Sequence, residues 1–387
     1  MTTSPSANWS YPTSIRFGAG RIKELGKVAE AAGMKRPLLV TDPGLAKLPM
    51  VADALSICRE AGLEPAVFSD VKPNPVASNI EAGVAAFRAG DHDGVIAFGG
   101  GSGLDAGKVI AFMAGQTRPI WDFEDIGDWW KRADEANIAP IVAVPTTAGT
   151  GSEVGRAGVV TNEETHTKKV IFHPKMLPAT VICDPELTVG MPRYFTVGTG
   201  MDALAHCLEA YSSTFYHPMG DGIAVEGIRL VFDSLEKAAN TPDDLIARGN
   251  MMSAAAMGAV AFQKGLGAIH ALSHPVGALY DTHHGMTNAV FMPYVLAFNR
   301  QAIEKKFDRL AGYLGISGGF DGLMQAILKL RADLEVPNTL EGLKVGGEKR
   351  DLIAEMAVVD PTAGGNPIEL TKDGAKQIFD AALEGRL

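Results

Sequence analysis

The chain has 387 residues, 46% of them hydrophobic and 21% charged, which is too long for one comfortable core and apolar enough to build two. A formal net charge of −10 makes a surface that repels phosphate backbones, so nucleic acid is excluded as the expected partner. Cys58, Cys183 and Cys207 lie far apart without CxxC spacing, which argues against a disulfide framework and for a reducing, cytoplasmic setting.

The N-terminal stretch MTTSPSANWSYPTSIRF lacks a basic region followed by an apolar one and does not read as a signal peptide. From there the first half alternates. RPLLVTD (36–42) reads as a strand followed by a helix over about 46–61, and EPAVFSD (64–70) as a strand followed by a helix over 78–89. DGVIAFGGGSG (93–103) is a buried strand running into a glycine loop and then a helix to about 114. APIVAVPTTAGTGSE (139–153) ends another strand in a loop of small residues, and 156–183 reads as further strands joined by hairpins or loops. Strands separated by helices of this length predict βαβ units and a parallel sheet.

After DPELTVGMP the texture changes, with alanine, leucine and methionine recurring at helical spacing. The fold class expected is therefore α/β plus all-α, with residues 1–190 a Rossmann-like dinucleotide-binding domain and 191–387 a helical domain. The longest apolar run, MMSAAAMGAVAF (251–262), falls short of the roughly 18–20 residues a bilayer needs. It reads as a buried helix, and no membrane association is expected.

Three loops at strand ends suit a nucleotide. Gly99, Gly100 and Gly101 remove side chains where backbone amides at a helix N-terminus would meet a pyrophosphate. Asp42, at the end of the first clear strand, is placed to accept hydrogen bonds from a ribose diol and to repel a 2′-phosphate, favouring NAD over NADP. PTTAGTGSE (145–153) adds the hydroxyls of Thr146, Thr147, Thr150 and Ser152 at another strand end. Each feature has a plainer reading as a tight turn or cap. Together they favour a dinucleotide site.

In GTGMDALAHCLEAY (198–211), Asp202 and His206 stand four apart on one helical face. In GLGAIHALSHPVGALYDTHHG (265–285) stand His270, His274, His283 and His284. A carboxylate with several imidazoles suits a divalent ion such as Fe²⁺ or Zn²⁺. Spacing leaves the ligand set open: His270 and His274 are also four apart, and Pro275 is expected to disturb that helix.

FGGGSGLDAGK, PTTAGTGSE, GMDALAHCLEAY and HALSHPVGALYDTHHG, in that order, resemble the iron-containing (group III) alcohol dehydrogenase family over nearly the whole chain. The resemblance implies that Asp202, His206, His270 and His284 hold the metal and that His274 lies near the nicotinamide as a non-ligand, where it could relay the hydroxyl proton. His283 stands where relatives often have proline. The same resemblance places the adenosine ribose near Asp42, with Asn74 close to the cofactor and Gly100, Gly101 and Ser102 at the pyrophosphate. Asp105, Thr146, Thr147 and Lys168 map onto further cofactor positions, and Leu187 onto the nicotinamide end. The implied reaction is hydride transfer between NAD(H) and an alcohol/aldehyde pair at a site between the halves, in a homo-oligomer. A glycerol-type polyol dehydrogenase uses a related scaffold with fewer metal ligands. A dehydroquinate-synthase-like lyase needs a basic pocket that no Lys/Arg cluster beside the metal motifs supplies. A metal that only staples the helical domain would leave the glycine and PTT loops without a purpose.

Overall fold

In the computed structural model, which describes residues 10–165 and 167–387, the chain forms two compact units, Tyr11–Gly190 and Met191–Leu387, with Ser10 grouped with the second. The Ser10 amide donates to Gln263 Oε1 at 2.7 Å and its carbonyl accepts from Gln263 Nε2 at 2.6 Å. This residue therefore goes with the helices and not with the α/β unit that follows it in sequence. Residues 1–9 lie outside the described residues.

The first unit runs β1 (Ser14–Phe17), α1 (Leu25–Ala31), β2 (Pro37–Val40), α2 (Pro49–Glu60), β3 (Ala66–Phe68), α3 (Ala77–Ala89), β4 (Gly94–Gly99), α4 (Gly101–Met113), β5 (Ile141–Pro145), β6 (Ala157–Asn162), β7 (Thr167–Phe172) and β8 (Thr180–Cys183). Six strands make one parallel sheet in the order β3-β2-β4-β5-β8-β1. Strands β2, β4 and β5 are buried at every position, as expected of a parallel sheet covered on both faces. At the edge, β1 is short, half polar and mostly exposed, which limits the row of unpaired backbone groups it offers. The pair β6–β7 is a separate antiparallel hairpin.

Strand order matters for the site. The chain leaves β2 toward β3 on one side, whereas it leaves β4 toward β5 on the other. Loops diverging from adjacent parallel strands leave a crevice at their carboxyl ends, where open α/β sheets take ligands. The register pairs Val40 with Ala97, so Asp42 and the Gly99–Gly101 loop flank that point.

The second unit is helical: α5 (Arg193–Ser212), α6 (Pro218–Asn240), α7 (Leu245–Ala261), α8 (Ala268–Tyr280), α9 (His284–Tyr313), α10 (Gly319–Asp333), α11 (Arg350–Val358) and α12 (Lys372–Glu384). From Met201 to Ser212 every residue of α5 is buried, and α6, α7 and α9 pack around it. A helix buried on all sides lies at the centre of a bundle, and the polar groups it carries, Asp202, His206 and Glu209, are buried with it. The segment Leu245–Lys264, longer than the apolar run seen in the sequence, has the length and composition to cross a membrane but is mostly buried, as a core helix is.

Pro275 does not break its helix. It lies buried inside α8, without the N–H that would reach back to residue 271, at a cost of about 3 kcal/mol. Packing of α8 on α9 and α11, and side-chain caps on its first turn, offset that cost. His270 and His274 therefore do share one helical face.

Candidate active site

The crevice of the α/β unit is built by close approach. Gly99 has φ of 142°, a conformation side chains rarely adopt. A Cβ on Gly101 would come 2.7 Å from Thr150 Cγ2, so the glycine and PTTAGTG loops lie against one another. The Thr146 amide donates to the Gly99 carbonyl at 2.9 Å, and Thr147 lies against Gly100. No side chain caps α4, so its first amides face the carboxyl edge of the sheet, a natural place for an anionic group.

Other predicted residues are tied into this cradle less directly. Asp42 Oδ1 accepts from the amides of Gly44 (2.8 Å) and Leu45 (2.9 Å), a turn role that engages one oxygen of the carboxylate. Ser102 Oγ donates to the Pro73 carbonyl, which anchors the exposed segment carrying Asn74. Both oxygens of Asp105 are engaged internally: Oδ1 by Ser152 Oγ (2.5 Å) and Lys108 Nζ (3.2 Å), Oδ2 by the Val159 amide (3.0 Å). Asp105 thus braces the loop after β5 against α4. Lys168 stands near the turn of the hairpin, opposite Thr161. Leu187 belongs to the core cluster that includes Ile96, Phe98 and Val144.

Two buried charges escaped the sequence reading. Lys108 is 1% exposed, and Nζ donates to the carbonyls of Ser152 (2.9 Å) and Ala157. The i,i+3 spacing of Asp105 and Lys108 was the available signal. Glu153 is 3% exposed, and burial pushes its carboxyl up to about 7 from an ordinary 4.5. Between those values the folded state keeps a proton that the unfolded chain has released. Its stabilising contribution is therefore complete below pH 4.5 and is lost as pH rises through 7. Glu153→Gln is expected to gain stability over wild type at pH 8, by up to about 3 kcal/mol, and little at pH 4.5. Denaturant unfolding at both pH values checks this; an equal difference at each would refute it.

The metal motifs come together within the helical unit. Helix α5 presents Asp202 and His206, α8 presents His270, and α9 begins at His284. The Nε2 atoms of His206, His270 and His284 lie 3.8, 3.7 and 3.6 Å from Asp202 Oδ1. In Asp202, His206 and His270 the ligand-type atoms all fall within 4.8 Å of one another. A four-coordinate ion with bonds near 2.1 Å needs donors roughly 3.4 Å apart, so this set fits a divalent ion after a small contraction. Burial opposes charge on Asp202, but His206, His284 and His270 outweigh it and hold the carboxyl well below the usual range.

The remaining histidines separate by their partners. His274 has Nδ1 on Asp360 Oδ2 at 2.8 Å, and its ring stacks on that of His284 at 5.4 Å. Asp360 Oδ1 accepts from the amide (2.9 Å) and hydroxyl (2.5 Å) of Thr362. His283 stands at the start of a helix. Its Nδ1 accepts the Met286 amide at 3.3 Å as the N-cap of α9, and Tyr194 and Phe195 pack edge-on to its ring. Burial pulls that ring below the ordinary histidine value.

Three neighbours were missed. Glu209 Oε2 lies 2.6 Å from His270 Nδ1, Asp360 holds His274, and Asn288 Nδ2 donates to Asp202 Oδ1 at 2.7 Å while facing the Nε2 atoms of His270 and His284. Helical spacing was a usable signal for two of them, since Glu209 is seven residues after Asp202 and Asn288 four after His284. Asp360 had no local signal.

Comparison with known proteins identifies the family. The sequence matches the family described as iron-containing alcohol dehydrogenase over residues 12–185, and the C-terminal part of the Fe-containing alcohol dehydrogenase family over 196–383. It is 36% identical to a 4-hydroxybutyrate dehydrogenase of Cupriavidus necator, covering 96% of this chain and 99% of that one. It is 38% identical to a 1,3-propanediol dehydrogenase of Klebsiella pneumoniae, covering 97% and 98%. The crystal structure of a 1,3-propanediol oxidoreductase superposes with a TM-score of 0.93 at 37% identity, over 97% of this chain and all of that one. With both halves of the sequence matched and the donor set assembled, the chain belongs to the iron-containing alcohol dehydrogenase family, whose members work with NAD and a divalent metal.

Proposed function

We propose that this protein interconverts a short primary alcohol and its aldehyde with NAD(H), using Fe²⁺ or Zn²⁺ held by Asp202, His206, His270 and His284. The observation that carries the reading is the donor set itself, three imidazole nitrogens within 3.8 Å of one buried carboxylate oxygen. When bound, the metal acts as a Lewis acid on the substrate oxygen and the nicotinamide exchanges the hydride. The remaining work falls to the protein. Asp360 orients His274, which passes the hydroxyl proton toward solvent. Gly99, Gly100, Gly101 and Ser102 receive the pyrophosphate at the start of α4, with Thr146, Thr147 and Thr150 alongside. Asn74, Asp105, Lys168 and Leu187 complete the cofactor positions, Asp105 by bracing the loop after β5.

Substrate class follows from chemistry shared by the two curated relatives. 4-Hydroxybutyrate and 1,3-propanediol are both short primary alcohols with a second polar group at the far end, and such alcohols are the substrates proposed here. A panel of them, assayed with NAD and NADP on protein of measured metal content, tests the reading. Turnover that does not track metal occupancy would overturn it. NAD is expected to be preferred, because Asp42 meets a 2′-phosphate with like charge. Asp42→Gly should shift the NAD:NADP ratio of kcat/KM toward NADP by roughly 10- to 100-fold, since like-charge juxtaposition costs several kcal/mol. A turn-only role for Asp42 would lower Tm and leave the ratio unchanged. The three buried free thiols suit the cytoplasm. A homo-oligomer is proposed as well, and light scattering would show it.

A further inference from the structure

We propose that Glu209 is the positioning residue of the metal centre. Its carboxylate holds the His270 ring with Nδ1–H toward itself and so commits Nε2 to the metal. This rests on the metal reading above and goes beyond it, because Glu209 is not one of the ligands.

Three observations carry the proposal. Helix α5 places Asp202, His206 and Glu209 at i, i+4 and i+7, so one helical face supplies two ligands and the carboxylate behind a third. Glu209 is 5% exposed, and both its oxygens are taken by consecutive residues of α8: Oε2 by His270 Nδ1 and Oε1 by the Ile269 amide, each at 2.6 Å. A buried acid with both oxygens on one turn fixes that turn's rotation and the ring it carries. Finally, a neutral imidazole has one N–H and one lone pair. An acceptor on Nδ1 leaves the lone pair on Nε2, 3.7 Å from Asp202 Oδ1, and raises its basicity as a ligand.

Glu209 also caps the start of α8 through Ile269, so a capping role must be separated from ring orientation. Asn366 provides the comparison. Its Oδ1 accepts the Ala268 amide at 3.1 Å, one residue earlier in the same turn, and it makes no bond to the His270 ring. Full-length protein is stripped of metal and titrated with Zn²⁺ against a chromophoric chelator, and Tm of the metal-free form is recorded beside it. Glu209→Gln keeps the volume and a neutral acceptor but removes the charge. It is expected to raise the Zn²⁺ dissociation constant by roughly 10- to 100-fold. Asn366→Ala is expected to lower the metal-free Tm while leaving Zn²⁺ affinity within about threefold, well short of the loss expected when the His270 ring loses its carboxylate. Wild-type affinity in Glu209→Gln would overturn the proposal, and so would equal weakening in the two variants, which would assign the effect to the helix end. Wild-type protein that binds no Zn²⁺ would overturn the metal reading itself, a distinguishable failure.

Discussion

His270→Ala is expected to purify with little metal and to lose activity by roughly 10³-fold or more, because Lewis-acid assistance supplies several kcal/mol of transition-state stabilisation. The substitution removes one of four donors. It also strands Glu209, whose Oε2 has His270 as its partner inside the bundle. Leaving a buried carboxylate oxygen without its donor costs on the order of 1–3 kcal/mol or more, so metal-free stability should fall as well. His274→Ala, on the same face of α8, should differ. Asp360 keeps both bonds from Thr362, the donor set around Asp202 is untouched, and metal content should stay near wild type while turnover drops. Metal analysis beside steady-state kinetics on the two variants decides the matter. Loss of metal from His274→Ala with retention in His270→Ala would mean that the ligand has been assigned to the wrong member of the pair.

Gly285→Ala should be nearly as damaging, for a steric reason. A Cβ there would lie 2.0 Å from the Gly198 carbonyl oxygen, 2.7 Å from its carbon and 3.1 Å from Asp202 Cβ. The obstacle is chiefly backbone and cannot rotate away, so the start of α9 must move off α5. That movement carries His284 and Asn288 away from Asp202. Overpacking of this kind costs about 1–3 kcal/mol, and here it also opens the donor set, so metal content should fall with Tm. Gly277→Ala is the control. Its nearest neighbour would be the Thr282 carbonyl at 3.9 Å, and in a helix the change gains up to about 1 kcal/mol. Thermal unfolding and metal content of the two variants test the argument; a Gly285→Ala protein with wild-type metal would refute it.

Much was legible before any fold was known, because local rules carried it. Apolar runs bounded by polar turns located β2, β3, β4 and β5. Glycines where backbone approaches backbone marked the loop into α4, and an i,i+4 carboxylate and imidazole marked one face of α5. The change of texture near residue 190 marked where the sheet gives way to helices. Short-range periodicity is a property of the chain itself, and so it survives into the fold.

Neighbours distant in sequence were another matter. Nothing local says that β4 lies between β2 and β5, or that β1, a half-polar edge strand, pairs with β8. From sequence Pro275 is expected only to disturb its helix, because the packing that offsets its missing bond comes from α9 and α11. His270 and His274 have the same spacing and each carries a carboxylate on Nδ1, so spacing alone left the ligand open. What distinguishes them lies on another helix: Asp202 Oδ1 is 3.7 Å from His270 Nε2, whereas the carboxylates themselves, Glu209 and Asp360, come from 61 and 86 residues away. The sequence by itself determined which side chains share a helical face or end a strand, since backbone geometry repeats every few residues. The tertiary structure alone decided which faces meet, since that depends on how whole helices and strands pack.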